Sequence, residues 1–261
     1  MARVIAIANQ KGGVGKTTTA INLGASLAVA EKHTLVVDCD PQGNATSGFG
    51  VRKDVGERST YDCIVDGVPI AEATRREVHF PFLDVVPASR DLAGAEIELI
   101  DRPEREKRLR RALDEVREDY EYILIDSPPS LGLLTLNALA AADTVLIPIQ
   151  CEFYALEGLS QLLNTVRLVQ RNINTELAIE GVLLTMYDSR LNLSKQVAEE
   201  AREYFGGKVF QTIIPRNIRL AEAPSFGKPI ALYDVLSTGA RGYLSLAREI
   251  IRKDERKRKV G

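Results

Sequence analysis

Cysteine and histidine are scarce in this 261-residue chain, which has three cysteines and two histidines. Cys39, Cys63 and Cys151 are odd in number and share no C-x-x-C spacing, so they indicate reduced thiols and not disulfides or metal ligands. An iron–sulfur carrier needs paired bridging cysteines, and none of the three stands in a recognisable pair. The scarcity therefore counts against a disulfide-stabilised fold and against a thiolate-bound cluster.

Long apolar runs are absent as well. No run approaches the roughly twenty residues that a membrane-spanning helix needs, and the first residues lead into a predicted strand without the pattern of a signal peptide. Hydrophobic residues make up 45% of the chain and charged residues 27%, which is typical of a globular protein. We therefore expect one cytoplasmic domain over residues 1–261, ending in a charged, flexible tail at 252–261.

Six short apolar runs alternate with helical patterns along the chain. Runs that are apolar on both faces are typical of parallel strands covered by helices on both sides. Right-handed crossovers then predict a doubly wound α/β fold with a mostly parallel, twisted sheet. The predicted strands are 4–8, 34–37, 83–86, 122–125, 144–147 and 181–185. The predicted helices are 17–30, 104–119, 132–141, 155–172, 192–205 and 238–253. The stretch 49–80 gives no readable pattern.

A glycine-rich loop follows the first predicted strand, where residues 9–19 read NQKGGVGKTTT. Its glycines keep the loop free of side chains, so backbone N–H groups can approach a phosphate chain closely. Lys16 is expected to reach the β- and γ-phosphates, and the Thr17 hydroxyl to hold Mg²⁺. An ordinary glycine-rich turn is the alternative interpretation. The predicted nucleotide-binding residues here are Lys11, Gly12, Gly13, Val14, Gly15, Lys16, Thr17 and Thr18.

Carboxylates stand at the ends of two further predicted strands. Asp38 and Asp40 are spaced i, i+2 after one strand, and Asp126 follows another. Ligands of open α/β folds bind at the carboxyl edge of the sheet, so these side chains are expected beside the loop. Asp126 is predicted to meet a magnesium ion through water. Of the other two, one can organise the metal while the other orients the attacking water. A capped strand end is the alternative for that pair.

The glycine-rich loop departs from the common phosphate-binding pattern. Gln10 stands where the first glycine is expected, and Lys11 adds a second lysine at the head of the loop. This K-G-G-x-G-K-T arrangement resembles the deviant Walker A motif of the ParA/MinD ATPases. Other stretches resemble ParA/Soj proteins, so that the resemblance covers nearly the whole chain. They are 38–44 (DCDPQGN), 92–99 (LAGAEIEL), 123–130 (ILIDSPPS), 154–159 (YALEGL) and 214–225 (IPRNIRLAEAPS).

The resemblance implies specific roles for these residues. Lys11 would reach across a dimer interface onto the phosphates of the partner's nucleotide, although a solvated loop lysine is the alternative. Asp40 would activate water for hydrolysis, and Asp38 would organise magnesium. Pro215 and Asn217 would contact the base. The predicted catalytic residues are Lys11, Lys16 and Asp40, and the predicted metal residues are Thr17, Asp38 and Asp126.

Charge is distributed unevenly along the chain. Residues 186–261 hold 15 Lys/Arg and 9 Asp/Glu, whereas the remaining residues hold 19 and 27. An acidic body with a basic last third suits a protein that contacts a polyanion, although a solvated charged face gives the same totals. Arg190, Arg216 and Arg219 are the predicted DNA-phosphate contacts. If a helix began at this point, the last two would share one of its faces. Ion pairs with Glu222 or other neighbours are the alternative.

The resemblance implies a Mg²⁺-dependent ATPase that acts as a switch in chromosome or plasmid partition. Two ATP-bound subunits would form a sandwich dimer that binds double-stranded DNA non-specifically and associates with the nucleoid. Hydrolysis, weak unless a ParB-like centromere-binding protein stimulates it, would release the DNA. One alternative is a MinD-like membrane switch, but the basic tail lacks the large apolar residues that an anchor needs. Another is a small-molecule kinase or carboxylate-activating ligase on the same fold.

Overall fold

A six-stranded parallel sheet organises the computed structural model, which describes residues 1–52, 56–152 and 157–260. The strand order is β3-β2-β4-β1-β5-β6, and all five neighbouring pairs are parallel. The strands are β1 (Arg3–Ile7), β2 (Thr34–Asp38), β3 (Leu83–Val86), β4 (Tyr122–Asp126), β5 (Thr144–Gln150) and β6 (Ala178–Thr185). The predicted strands and the predicted doubly wound class are therefore confirmed.

Helices connect and cover these strands. Those in the described residues are α1 (Lys16–Val29), α2 (Asn44–Gly48), α3 (Ile70–Ala73), α4 (Leu92–Glu98), α5 (Arg108–Asp114), α6 (Leu133–Ala141), α7 (Glu157–Asn172), α8 (Asn192–Phe205), α9 (Ile218–Glu222), α10 (Ile230–Tyr233) and α11 (Thr238–Val260). No described helix has the length and apolar character required to cross a bilayer.

Two helix boundaries differ from the sequence-based expectation. The predicted helix at 104–119 is shorter, because α5 is preceded by a 3₁₀ turn at Arg105–Lys107 and followed by turns after Asp114. Helix α11 continues to Val260, so it includes most of the tail that was expected to be flexible. Residues 252–260 are rich in Lys and Arg and contain no Gly or Pro, so helix propensity favours the extension. Residues 155–156 of the predicted helix at 155–172 lie outside the described residues.

The core lies in two layers, one on each face of the sheet. Successive residues of β1 point to opposite layers, since Val4 and Ala6 pack in one and Ile5 and Ile7 in the other. Helices α1 and α11 pack against each other in the second layer. Each large aliphatic side chain that is fully buried here stabilises the fold by about 1.5–3 kcal/mol before entropy is counted. Both faces of the sheet are therefore closed, and the strand ends are left for binding.

The topology brings the predicted site residues together at one edge. Strand β1 lies between β4 and β5, and the strand order reverses direction beside it. Open α/β sheets bind their ligands at such a reversal. Asp38 and Asp126 are register partners at the carboxyl ends of β2 and β4, and Ile7 of β1 pairs with the same Asp126. The carboxylates and the glycine-rich loop thus share the carboxyl edge of the sheet.

Candidate nucleotide and magnesium site

The loop between β1 and α1 contains two left-handed glycines. Gly13 has φ 75° and Gly15 has φ 89°, a conformation that residues with a side chain adopt only at a cost. Gly15 is the N-cap residue of α1 and has no side chain to cap the helix. The first N–H groups of α1 and its positive dipole end therefore remain available to an anion at this position.

Two side chains that sequence reasoning missed hold the loop in place. The Asn9 side chain donates to the Pro148 carbonyl oxygen over 2.7 Å and accepts from the Lys11 backbone N–H over 3.0 Å. At the end of β6, the Thr185 hydroxyl lies 2.8 Å from the Val14 carbonyl oxygen, to which it donates. Both side chains are buried. They fix the loop to β5 and β6 before any ligand arrives.

Lys16 is buried, with 6% of its surface exposed. Its ammonium group donates to the Lys11 carbonyl oxygen over 3.2 Å, so the side chain folds back over the loop. Burial lowers the pKa of Lys16, while the nearby carboxylates of Asp126 and Asp40 act in the opposite direction. An anion that replaces the Lys11 carbonyl would give this ammonium group a stronger, charge-assisted partner.

Asp38 is fully buried and its carboxylate accepts three hydrogen bonds. One oxygen accepts from the Thr46 backbone N–H over 2.8 Å and from the Thr46 hydroxyl over 2.6 Å, and the other accepts from the Asp40 N–H over 3.1 Å. Burial nevertheless raises the pKa of Asp38, because it disfavours the charged form. Thr46 is a further residue that sequence reasoning missed, and it links β2 to α2. The predicted role of Asp38 at a metal remains a prediction.

Asp126 is a buried carboxylate whose hydrogen-bonding capacity is not used. Neither of its oxygens makes a hydrogen bond to a described residue, although the Thr17 hydroxyl is close enough to favour the charged form. Burial, and then the charge of Asp38, raise the pKa of Asp126. An unsatisfied buried carboxylate beside a hydroxyl fits a hard cation such as Mg²⁺ and its bound water.

No group of three or more His, Cys, Asp or Glu side chains in the described residues could by itself hold a metal ion. Magnesium does not need such a cage, because it usually keeps several waters and binds one or two protein groups together with substrate phosphates. The donor pair of Thr17 and Asp126 therefore suits Mg²⁺ that arrives with a nucleotide. The three cysteines are buried free thiols and do not belong to this donor pair.

Two adjoining cavities open at this edge of the sheet. The first, of about 590 Å³, is lined by the loop glycines, by Lys16 to Thr18 and by Asp40. The second, of about 290 Å³, is mostly apolar and includes Pro215 and Asn217 in its lining. Gly15, Thr18 and Met186 line both cavities. Their chemistry matches the polar phosphates and the apolar base of a nucleotide, respectively. Lys11 does not line either of them.

The side chain of Asn217 is already engaged within the chain. Its oxygen caps α9 by accepting from the Leu220 N–H over 3.3 Å, and its nitrogen donates to the Thr238 hydroxyl over 2.8 Å. This arrangement positions the segment that forms one wall of the apolar cavity. A contact between the Asn217 side chain and a base remains a prediction, whereas its capping role in the fold is seen directly.

The three arginines predicted to contact DNA are exposed and paired with carboxylates. Arg190 pairs with Asp188 over 2.6 Å, Arg216 with Glu152 over 3.4 Å, and Arg219 with Glu222 over 2.9 Å. The ion pair with Glu222 that was the alternative for Arg219 is therefore present. The condition for Arg216 and Arg219 to share a helix face is not met, because α9 begins at Ile218 and Arg216 precedes its cap. Their contact with DNA remains a prediction.

Comparison with known proteins agrees with this geometry. A family model described as an AAA domain matches residues 2–179. The chain is 62% identical over 253 residues to the sporulation initiation inhibitor protein Soj of Bacillus subtilis, covering 96% of this chain and 98% of Soj. It is 58% identical over 252 residues to the chromosome partitioning protein ParA of Myxococcus xanthus, covering 97% of this chain and 89% of that protein.

A solved structure shares the fold over nearly its whole length. It is cobyrinic acid a,c-diamide synthase from Mycobacterium smegmatis with bound ADP and magnesium, which is 38% identical with a TM-score of 0.85. The match covers 98% of this chain and 96% of that one. With its parallel sheet, its lysine-rich glycine loop and these relatives, the chain belongs to the Soj/ParA family of chromosome-partitioning proteins, and its first two-thirds to the AAA domain family.

Proposed function

We propose that the chain binds ATP with Mg²⁺ and hydrolyses it as the switch of a chromosome or plasmid partition system. The observation that carries this proposal is the pair of adjoining cavities. The first is lined by polar groups of the glycine-rich loop, Lys16 and Asp40 (the polar cavity), and the second is mostly apolar (the apolar cavity). The Mycobacterium smegmatis relative holds ADP and magnesium, which supports the same ligands here. The name of the Myxococcus xanthus relative, a chromosome partitioning protein, supports the partition role.

The residues of the polar cavity divide the work of binding. The N–H groups of residues 12–18 and the dipole of α1 receive the phosphate chain, and Lys16 moves from the Lys11 carbonyl oxygen to the β- and γ-phosphates. Thr17 and Asp126 would hold the shell of a bound magnesium ion, and Asp38 keeps the β2 end in position. Bound Mg²⁺ supplies charge neutralisation at the β- and γ-phosphates.

Asp40 is the candidate for orienting the attacking water. Its carboxylate lines the polar cavity, is 7% exposed, and accepts one hydrogen bond from the Gln42 N–H over 2.9 Å. It therefore retains more acceptor capacity than Asp38, which already accepts three hydrogen bonds. In the proposed reaction Asp40 accepts a hydrogen bond from water aligned with the γ-phosphate.

Dimerisation is proposed as the output of ATP binding. Lys11 lies at the head of the loop but does not line the cavity of its own chain. Its ammonium group can therefore meet the nucleotide of a second subunit, where it would stabilise charge developing on the γ-phosphate. The dimer would bind duplex DNA without sequence preference, associate with the nucleoid, and respond to a ParB-like stimulating partner. Hydrolysis would be slow without that partner.

The alternative functions are less well supported. A ligase role matches the name of the Mycobacterium smegmatis structure, but that chain is 38% identical, against 62% and 58% for the partition relatives. A membrane role would need an apolar surface on the basic C-terminal helix, and the apolar face of α11 is buried against the body of the protein.

The proposed function can be tested by nucleotide titration. Wild-type protein should bind ATP and release inorganic phosphate only when Mg²⁺ is present, and Lys16→Ala should lose at least tenfold in ATP affinity. Lys195→Ala, which removes an exposed lysine of α8 that lines neither cavity, is the matched control and should behave as wild type. ATP binding that is indifferent to Lys16 would contradict the proposal.

A further inference from the structure

A row of arginines lies on α11, outside the nucleotide site. Arg241, Arg248, Arg252 and Arg256 are separated by seven, four and four residues, a spacing that places them on one face of a helix. All four side chains are exposed. We refer to them as the α11 arginine row.

The row borders a groove of about 710 Å³ between α11 and residues 211–213. Its lining contains five cationic side chains, the row and Lys253, against one carboxylate, Glu249. That carboxylate is already occupied, because it accepts from the backbone N–H groups of Gln211 and Thr212, each over 3.0 Å, and lies 3.8 Å from the Lys253 ammonium group. The positive charge of the groove is therefore not neutralised from within.

The arginines of the row also lack carboxylate partners. Among the described residues, no ion pair includes any member of the row. By contrast, an ion pair with a carboxylate is formed by each of Arg190, Arg216 and Arg219. A guanidinium group that is already paired must lose that partner to bind an anion, whereas the row can bind one directly.

We propose that the α11 arginine row and its groove bind the phosphate backbone of duplex DNA. The inference rests on the proposed function, and it adds a DNA contact on α11, apart from the three arginines that the sequence predicted to contact DNA. Arg248, Arg252 and Arg256 follow each other at about 6 Å along the helix axis. Phosphates of one DNA strand follow each other at about 3.4 Å of duplex axis, so flexible arginine side chains can each reach a separate phosphate.

The groove continues beyond the row. Lys253 and Arg256 also line a neighbouring cavity of about 410 Å³, where Lys208 and Arg3 join them. Arg3 is held by Glu180 and Asp254, but Lys208 donates only to the Ile179 carbonyl oxygen among the described residues, over 3.3 Å. A cationic track therefore extends along α11 toward the amino edge of the sheet, which suits a long polyanion better than a single small anion.

Nucleic acid fits this surface better than a lipid surface does. An amphipathic membrane helix inserts large apolar residues beside its basic ones. In α11 the apolar residues, including Tyr243, Leu246 and Ile250, are buried in the layer that contains α1. No large hydrophobic side chain among described residues 241–256 is exposed. The groove thus offers charge and hydrogen bonds with nothing to insert into acyl chains.

The experiment compares DNA binding of full-length variants across a salt series with ATP and Mg²⁺. The groove variant combines Arg248→Gln, Arg252→Gln and Arg256→Gln. The control combines Arg102→Gln, Arg167→Gln and Arg171→Gln, three exposed arginines on the side of the sheet opposite α11. The groove variant should bind random-sequence duplex DNA more weakly. Its plot of log binding constant against log salt concentration should be shallower by about 0.9 for each phosphate that it no longer neutralises. The control, and a variant with lysine at the three groove positions, should keep the wild-type slope.

The possible results test the groove inference and the proposed function separately. Wild-type slope and affinity in the groove variant would overturn the groove inference while leaving the partition role intact. Failure of the wild type to bind duplex DNA with any nucleotide would overturn both. Groove-dependent binding to anionic phosphatidylglycerol vesicles in place of DNA would also overturn the groove inference. Unchanged ATP binding and thermal unfolding of the groove variant verify that its fold is intact, and the lysine variant provides a second test.

Discussion

At the scale of single residues, Lys11 and Lys16 stand in one loop but in different surroundings. Lys16 is buried and faces carboxylates, whereas Lys11 is half-buried and does not line the cavity of its own chain. The difference follows from the loop, which turns Lys16 inward at the start of α1. It supports a division in which Lys16 binds the nucleotide of its own subunit and Lys11 that of a partner.

Replacing Lys11 with alanine separates these roles. The Lys11→Ala variant should bind ATP within a few-fold of wild type, because Lys16 and the loop N–H groups remain. It should fail to form the ATP-dependent dimer, measured as molecular mass by light scattering. Lys195→Ala is the control. A dimer formed as readily by Lys11→Ala as by wild type would exclude the cross-subunit contact.

Replacing Asp40 with alanine tests the role proposed for this carboxylate. The loop and Lys16 are untouched, so ATP affinity should be retained, while phosphate release should fall by at least tenfold because the attacking water loses its orienting acceptor. Phosphate release in single-turnover assays, with ATP binding measured in parallel, distinguishes the two effects. Unchanged turnover would remove Asp40 from the mechanism.

The cysteine thiols give a pH-dependent prediction. Burial raises the pKa of Cys63 to about 12 and that of Cys151 to about 11, and it also raises the pKa of Cys39 well above its ordinary value. Only the unfolded chain ionises these thiols near their ordinary pKa of about 8.5, so the stability that they contribute is lost as pH rises above that value. Native protein should resist iodoacetamide at pH 8 while unfolded protein takes up three labels by mass spectrometry. Rapid labelling of native protein would contradict this burial.

At the scale of elements, the carboxyl edge is held by contacts between distant parts of the chain. The Thr46 hydroxyl donates to Asp38 over 2.6 Å and accepts from the Ala88 N–H over 2.9 Å, so it joins α2, β2 and the residues after β3. Helix α11 is tied in similarly, because the Tyr243 hydroxyl lies 3.2 Å from the Thr19 hydroxyl of α1. One helix thus borders the apolar cavity at its start and the arginine groove further along.

The Thr46 contact can be tested by substitutions of similar volume. Thr46→Val removes the hydroxyl from two buried partners, so the free energy of unfolding should fall by about 2 kcal/mol. Thr46→Ser keeps the hydroxyl and loses one methyl group, which costs about 1 kcal/mol. Urea denaturation of both variants gives the comparison. A valine variant as stable as the serine variant would show that the hydrogen bonds contribute little.

Local sequence patterns predict the strands and the loop because those patterns have local causes. The glycines of the loop and the short apolar runs of the strands can each be read from a short stretch of sequence. Asn9, Thr46 and Thr185 escaped prediction because their partners lie far away in the chain, as Pro148 does for Asn9. The end of α11 was misplaced because helix propensity continues past the residue at which the apolar pattern stops.

The predicted DNA contacts show that the sequence does not indicate which charged side chains are already paired. Arg190 and Arg219 are visible as cations in the sequence, but their pairing with Asp188 and Glu222 depends on local folding. Arg241, Arg248 and Arg252 lie within the predicted helix, but only the structure shows that the helix continues past Arg256 and that its apolar face is buried. Charge totals therefore predict that the last third of the chain faces a polyanion, but not which arginines do so.

At the scale of the whole molecule, the nucleotide site lies at the carboxyl edge of the sheet, and the arginine groove lies on α11, which covers one face of that sheet. The carboxyl edge holds the site proposed to sense the γ-phosphate, and α11 carries cationic groups away from that edge. Dimerisation of two ATP-bound chains would bring two such surfaces together and raise the number of phosphates contacted. Because each contact adds to the salt dependence of binding, nucleotide state and ionic strength should both control DNA affinity strongly.

The most direct test of nucleotide control measures how tightly the wild-type protein binds random-sequence duplex DNA. Binding is measured with ATP, with ADP and without nucleotide, each in Mg²⁺ at several salt concentrations. We predict tight, steeply salt-dependent binding with ATP and at least tenfold weaker binding in the other two states. Equal affinity in all three states would contradict a switch controlled by the γ-phosphate.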